Sequence, residues 1–227
     1  MEPQVFFGTA ADFPHSHKDE EAFCLDACGL ASRLGLDGLV INHQVHGTAG
    51  RVIDKPAAGG VDIRKHEGDF LVTGLQGVGI AVLTADCLPI VLYAPDKKLV
   101  AAVHAGWRGA LGGIGTRVVN QLVQDHGADA ERIRVWFGPA GKVCCYQVQE
   151  DFISPLVQSF VQERDGKLFF DNISFNRTQL FDAGILPSNL DLTNNDCTIC
   201  DMRYHSYRRA QDKILYKTQA TIVWLPH

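Results

Sequence analysis

The stretch TADCLPIVLYAPDKKLVAAVHAGWRG, residues 84–109, decides the fold class. Two apolar runs, LPIVLYA and LVAAVHA, flank PDKK, whose Pro95 and Asp96 are turn-forming residues. The pattern predicts an antiparallel hairpin, which excludes a purely parallel sheet. Folding the hairpin brings Cys87, before the first strand, near His104, at the end of the second. The pair has three chemical meanings: a core contact, a nucleophile with its base, or two members of a metal site.

Outward from the hairpin, strands and helices alternate. GLVINHQVH (38–46) reads as a strand running into a polar turn, and VGIAVLT (78–84) as a buried strand. IRVWFG (133–138) and ATIVWL near the C-terminus are further strands. Apolar residues recur at Leu111, Ile114, Val118, Leu122 and Val123 with a helical period ending before Gly127. Ser154 followed by Pro155 predicts a helix start reaching Val161. NRTQLFDAG predicts a short helix closed by Gly184. These elements predict an α+β class, a single domain over 1–227, with no repeat, linker or low-complexity tract between them.

Composition narrows the function classes. At 227 residues and 46% apolar content the chain can bury a substantial core. A formal charge of −5 and a pI near 6.0 give no electrostatic footprint for nucleic acid or anionic membrane, so a small-molecule partner is expected. Residues 70–94 hold one charge, Asp86, and are long enough to be mistaken for a membrane span. Their glycines, Pro89 and the mid-run carboxylate instead predict strands buried on both faces. The start MEPQVFFGTAADF lacks a basic, then apolar, signal pattern, and a cytoplasmic location is expected.

Seven cysteines in such a chain read as core thiols or ligands rather than a disulfide framework. Cys24 and Cys28, one helical turn apart, are expected in the core as small hydrophobes. Cys197 and Cys200 in DCTICD have the spacing of half a zinc knuckle, with no second pair following at the required distance. Cys144 and Cys145 receive no assignment.

Three residues share a structural position, for His46, Cys87 and His104 each lie at or just past the end of a predicted strand. Two imidazoles and a thiolate suit zinc, with copper also possible, and leave a fourth coordination position free. Such a position lets zinc lower the pKa of bound water from 15.7 to about 7. Asp86 is expected either to orient a ligand imidazole or to cap a turn. The glycines after His104, beginning with Gly106, precede a helix and can let backbone approach an anion. Arg108 and the pair Arg208 and Arg209 offer guanidinium forks for phosphate or carboxylate; the plain alternative is surface salt bridges.

Taken together, QVHG, TADCLPI, HAGWRG, GPA…CCYQV, NRTQL…AGI and DCT…SYRR resemble, in order and approximate spacing, the laccase-domain family, also named the polyphenol oxidase or purine nucleoside phosphorylase family. The resemblance runs from about residue 38 to the C-terminus. It implies a layered α/β sandwich with mixed sheets and one zinc held by His46, Cys87 and His104. It also implies phosphorolysis of adenosine, inosine, guanosine and methylthioadenosine, with adenosine deamination. Catalytic roles fall to Cys87, His104, Asp86 and Arg108, and substrate contacts to Arg208, Gln44 and Gly106. Purine nucleosides and phosphate are the expected partners, with a monomer or small homo-oligomer as the assembly.

The chain departs from the family in two places. The N-terminal TxRxGG segment is not recognisable, and FFGTAADFPHSHKDEEAF lacks its arginine, which bears on activity if that arginine contacts substrate or phosphate. The phenylalanine pair before SYRR is replaced by Tyr204 and His205. Three other functions stay open: a copper-dependent polyphenol oxidase, a metal-free cysteine hydrolase using Cys87 and His104, and a non-enzymatic partner or sensor domain.

Overall fold

The computed structural model describes residues 2–16, 18–56 and 60–227. The strands of the first half are β1 (Gln4–Phe7), β2 (Gly38–His43), β3 (Gly50–Ile53), β4 (Val61–Glu67), β5 (Phe70–Thr73), β6 (Val78–Thr84), β7 (Leu88–Ala94) and β8 (Leu99–Ala105). Those of the second half are β9 (Arg134–Phe137), β10 (Gln147–Val148), β11 (Val161–Arg164), β12 (Lys167–Phe170), β13 (Leu190–Asp191) and β14 (Gln219–Trp224). The α-helices are α1 (Glu20–Arg33), α2 (Trp107–Leu111), α3 (Ile114–Gln124) and α4 (Asn172–Asp182).

The hairpin forms as expected, β7 pairing antiparallel with β8 from Leu88 opposite Ala105 to Ala94 opposite Leu99. It is the centre of a mixed sheet ordered β13-β9-β7-β8-β5-β3. A second mixed sheet is ordered β1-β14-β6-β2-β4, and a small antiparallel sheet β10-β12-β11 lies apart.

Strand alternation explains the layering. Successive side chains point to opposite faces, so Val91, Tyr93, Val100 and Ala102 of one large sheet meet Val40, Ile80, Val82 and Val223 of the other. Ile90, Leu92, Ala101 and Val103 face the opposite way, onto Ile114, Val118 and Leu122 of α3 and Leu180 of α4. On the far side of the second sheet, Leu39, Ile41, Ala81 and Leu83 meet Phe23, Ala27 and Leu30 of α1. The result is a sandwich of helix, sheet, sheet and helices. Strands β6 and β7 are buried along their whole length because both faces are covered. No helix among the described residues is long and apolar enough to cross a membrane.

Several local expectations are corrected. Cys24 and Cys28 are exposed rather than in the core. Phe23, Ala27, Leu30 and Ala31 form the buried stripe of α1, and each cysteine is one residue, about 100° of helix, away from it. The helix expected from Leu111 is two helices, because Gly113 adopts a left-handed φ of 73° between them. The segment from Ser154 is no α-helix: it is a turn and a 3-10 turn at Gln158–Phe160 that lead into β11. Asp165 and Gly166, both at positive φ, close a hairpin between β11 and β12 and draw the segment into the small sheet. Strand β2 ends at His43 and runs into the polar turn expected before residue 46.

Candidate metal centre and cleft

The site lies at one end of the sandwich, where segments from both sheets meet. Cys87 immediately precedes β7, and His104 pairs with Pro89 one step inside β8. His46 follows β2, which runs parallel to β6, so the C-terminal ends of those strands lie side by side. The possible ligand atoms of His46, Cys87 and His104 all lie within 4.8 Å of one another. The two imidazole rings meet edge to face, with centroids 4.8 Å apart. Gly106 is needed for this approach: a Cβ there would meet His46 Cδ2 at 3.0 Å, Cys87 Sγ at 3.2 Å and His104 Cε1 at 3.5 Å.

One carboxylate holds both histidines, and it was not among the candidates read from sequence. Asp69, fully buried just before β5, accepts from His104 Nδ1 at 2.8 Å through Oδ1. The same oxygen accepts the His46 amide at 2.9 Å, and Oδ2 accepts the Gly47 amide at 2.7 Å. His46 takes a φ of 61°, uncommon for a non-glycine residue, and these amide bonds fix that backbone. With Nδ1 donating to Asp69, the other nitrogen of His104 is left as a donor to a metal, the usual arrangement for a ligating histidine. The signal in sequence was only one of two acids in EGDF, ahead of an apolar run.

In the metal-free protein the charges favour a thiolate on Cys87 beside an imidazolium on His104, and a cation would take the place of the His104 proton. Burial opposes charge on Cys87, but the charge and hydrogen bonds of His104 and His46 overcome it and lower the thiol pKa. Burial likewise opposes charge on His104, and the Cys87 thiolate and the Asp69 bond outweigh it, raising the imidazole. Burial pushes the Asp69 carboxyl up, while His104 and the amides of Gly47 and His46 bring it below its ordinary value.

Asp86, expected to orient an imidazole or cap a turn, makes neither histidine contact. It accepts from Thr198 Oγ1 at 2.7 Å, Ser206 Oγ at 3.0 Å and the Arg208 amide at 2.7 Å, so it latches the C-terminal segment to the site. Gln44 spends both ends of its amide on the Leu83 backbone, at 2.7 Å each, extending the β2–β6 ladder with a side chain. Arg208 and Arg209 form no surface ion pair among the described contacts. Arg208 lies over the Tyr146 ring at 4.2 Å and donates to the Gln147 carbonyl; Arg209 donates to the carbonyls of Thr198 and Ile199. Arg108 lies over the Trp107 ring, 4.4 Å from its centroid.

Above the three candidate ligands is an open cleft of about 960 Å³. Lys18, Arg64, Arg108, Arg208 and Lys213 line it with positive charge, and Trp107, Tyr146, Tyr207 and Tyr216 with aromatic rings. Gln44, Asp86 and the three ligands also reach it, so the structure brings these sequence candidates to one cavity. Gly106 adjoins it through the ligands it touches.

Residues 14–226 match the family described as multi-copper polyphenol oxidoreductase laccase. A protein of Aquifex aeolicus named purine nucleoside phosphorylase is 39% identical over 158 residues, 70% of this chain and 72% of the relative. A protein named adenosine deaminase RL5, from an unknown prokaryotic organism, is 35% identical over 199 residues, 81% of this chain and 75% of the relative. The crystal structure of YlmD from Geobacillus stearothermophilus superposes with a TM-score of 0.80 at 28% identity, covering 92% of this chain and 82% of that one.

Proposed function

Since the chain belongs to the family described as multi-copper polyphenol oxidoreductase laccase, in which relatives carry the names purine nucleoside phosphorylase and adenosine deaminase, we propose that it is a zinc-dependent enzyme of purine nucleosides. It cleaves adenosine, inosine, guanosine and methylthioadenosine with phosphate, and it deaminates adenosine. The observation that carries this reading is one cluster of two imidazoles and one thiol at the floor of a cleft lined by cations and aromatic rings.

The donor set suits zinc, whose tetrahedral sites take nitrogen and sulfur ligands. His46, Cys87 and His104 would hold it, and when bound it supplies a Lewis acid beside the substrate. Asp69 keeps His104 in the tautomer that presents its free nitrogen to the metal. The rings of Trp107, Tyr146, Tyr207 and Tyr216 give a planar base surfaces for stacking, and the five cations offset the charge of phosphate. In phosphorolysis a phosphate oxygen bonds to C1′ as the bond from C1′ to the base nitrogen breaks. The bond's electron pair leaves with the base, which takes up a proton. Arg108 and Arg208 serve the phosphate, and Lys18 and Arg64 supply positive charge in a chain without the family's N-terminal arginine.

A multicopper oxidase distributes its metals over several histidine-rich clusters. Among the described residues, histidine enters a single cluster of this kind, which favours nucleoside chemistry over polyphenol oxidation. The facing Cys87 and His104 also support a metal-free cysteine hydrolase. A hydrolase dyad needs no third ligand, whereas His46 reaches the same point.

The test is metal analysis together with a product screen on adenosine. Adenine and hypoxanthine are expected with phosphate, inosine without it, and one zinc equivalent together with both activities is expected to be lost in Cys87→Ala. Full turnover by the metal-stripped protein or by Cys87→Ala overturns the proposal.

A further inference from the structure

A second cluster of possible ligands stands apart from the histidines, in two turns that flank the cleft. Cys144 and Cys145 lie in the turn after β9, and Cys197 and Cys200 lie in the turn after β13. Their four sulfurs all fall within 4.8 Å of one another, with Cys145 Sγ 2.8 Å and Cys144 Sγ 3.6 Å from Cys200 Sγ. We infer that these four cysteines form a second, structural metal site for zinc or a similarly thiophilic divalent cation.

Three observations carry the inference. The first is spacing: four thiolates around one zinc at about 2.3 Å stand roughly 3.8 Å apart; the Cys144–Cys200 pair at 3.6 Å matches this, and the Cys145–Cys200 pair at 2.8 Å needs to open by about 1 Å. The second is the support of the sulfur of Cys197, which accepts backbone N–H bonds from Lys142 and from Cys200. These donors hold the first sulfur of the Cys-x-x-Cys turn facing the other three. The third is the framing backbone. Ala140 and Cys197 form a parallel bridge, with Ala140 donating to Asp196 O and Thr198 donating to Ala140 O at 3.0 Å each. The two turns are thereby held together before any cation arrives. A disulfide would use two of the sulfurs and leave the other pair, one of them carrying its own N–H donors, without a role.

The site has a structural consequence at the cleft. One turn carries Cys145 and Tyr146 into the cleft wall; the other carries Ile199 there and Thr198 onto Asp86. A cation bonded to both turns cross-links the wall that Arg208 leans against. Exposure of Cys144 and Cys200 leaves an entry path.

The full chain, reduced and stripped of metal, is loaded with zinc chloride and its metal counted, beside Cys197→Ser/Cys200→Ser and Cys87→Ser. The expected result is that the double variant binds one zinc equivalent fewer than wild type, while Cys87→Ser keeps that equivalent. Loss of metal by Cys87→Ser alone would speak to the histidine cluster and leave this site standing. With cobalt(II), the near-ultraviolet thiolate charge-transfer band of wild type is expected to lose most of its intensity in the double variant. A wild-type measurement guards against a misfolded variant: zinc should protect Cys144, Cys145, Cys197 and Cys200 from maleimide, read by peptide mass. Equal zinc uptake by wild type and double variant, unchanged maleimide labelling, or a Cys145–Cys200 disulfide with no zinc uptake by the reduced protein would each overturn the proposal.

Discussion

Asp69 concentrates more of the site's geometry than any ligand does. It is fully buried and serves His104 and the amides of His46 and Gly47. Asp69→Ala leaves those donors without an acceptor and is expected to cost about 3 kcal/mol or more in chemical denaturation. Asp69→Asn keeps an oxygen but loses the charge, and zinc affinity is expected to fall about 10- to 100-fold by competition with a chelator. The pH dependence follows from the sign of the shift. A carboxyl lowered in the native state contributes stability that is present above its ordinary value of 3.8 and lost as pH falls through the native value. Thermal unfolding of metal-free wild type should therefore show an acid limb that is shallower in Asp69→Asn, and identical limbs would contradict the assignment. Cys87 gives a second prediction. Because His104 outweighs burial, its alkylation by iodoacetamide in metal-free protein should set in well below the pH of an ordinary thiol. In His104→Ala burial loses its main opponent, and the onset should move to higher pH. The chemistry of His46, Cys87 and His104 was legible from residue type; Asp69 was not, because a buried acid before a strand looks in sequence like any turn carboxylate.

At the level of elements, the site depends on how strand ends are joined. Helix α2 follows Gly106, its N-cap, whose missing Cβ leaves room for all three candidate ligands. Gly106→Ala should fold but displace the ligands by tenths of an ångström, and a loss of turnover of about 10-fold or more is expected with the circular dichroism spectrum kept. Asp86 joins the β6–β7 connection to the C-terminal segment through Thr198, Ser206 and Arg208. Asp86→Ala frees that wall, so KM for phosphate should rise more than kcat falls; an equal effect on both would argue for a direct catalytic part. Apolar patterning made β6, β7, β8 and β14 readable, since continuous burial leaves a continuous apolar run. The break at Gly113 and the β11–β12 hairpin were hidden. Periodicity carries across a single left-handed glycine, and a Ser-Pro helix signal is overridden when the following residues pair with β12.

Across the whole molecule, stability is expected to be graded. Strands β6, β7 and β8 lie between two apolar layers, whereas residues 201–218 contain no strand or helix and rest on side-chain bonds to Asp86 and backbone carbonyls. Hydrogen exchange should be slowest in those strands and faster by orders of magnitude in the C-terminal segment; uniform protection would contradict this gradation. Residue types and their local spacing were enough for the α+β class, the central hairpin and a chemically apt trio of ligands, because burial and ligand preference are local properties. It took the packed fold to show that Asp69 and not Asp86 holds the histidine, that Gln44 gives its amide to the Leu83 backbone, and that the half knuckle at Cys197 and Cys200 finds its other half at Cys144 and Cys145. Those decisions depend on distances between segments far apart in the chain, which the packing of two sheets sets and local sequence does not encode.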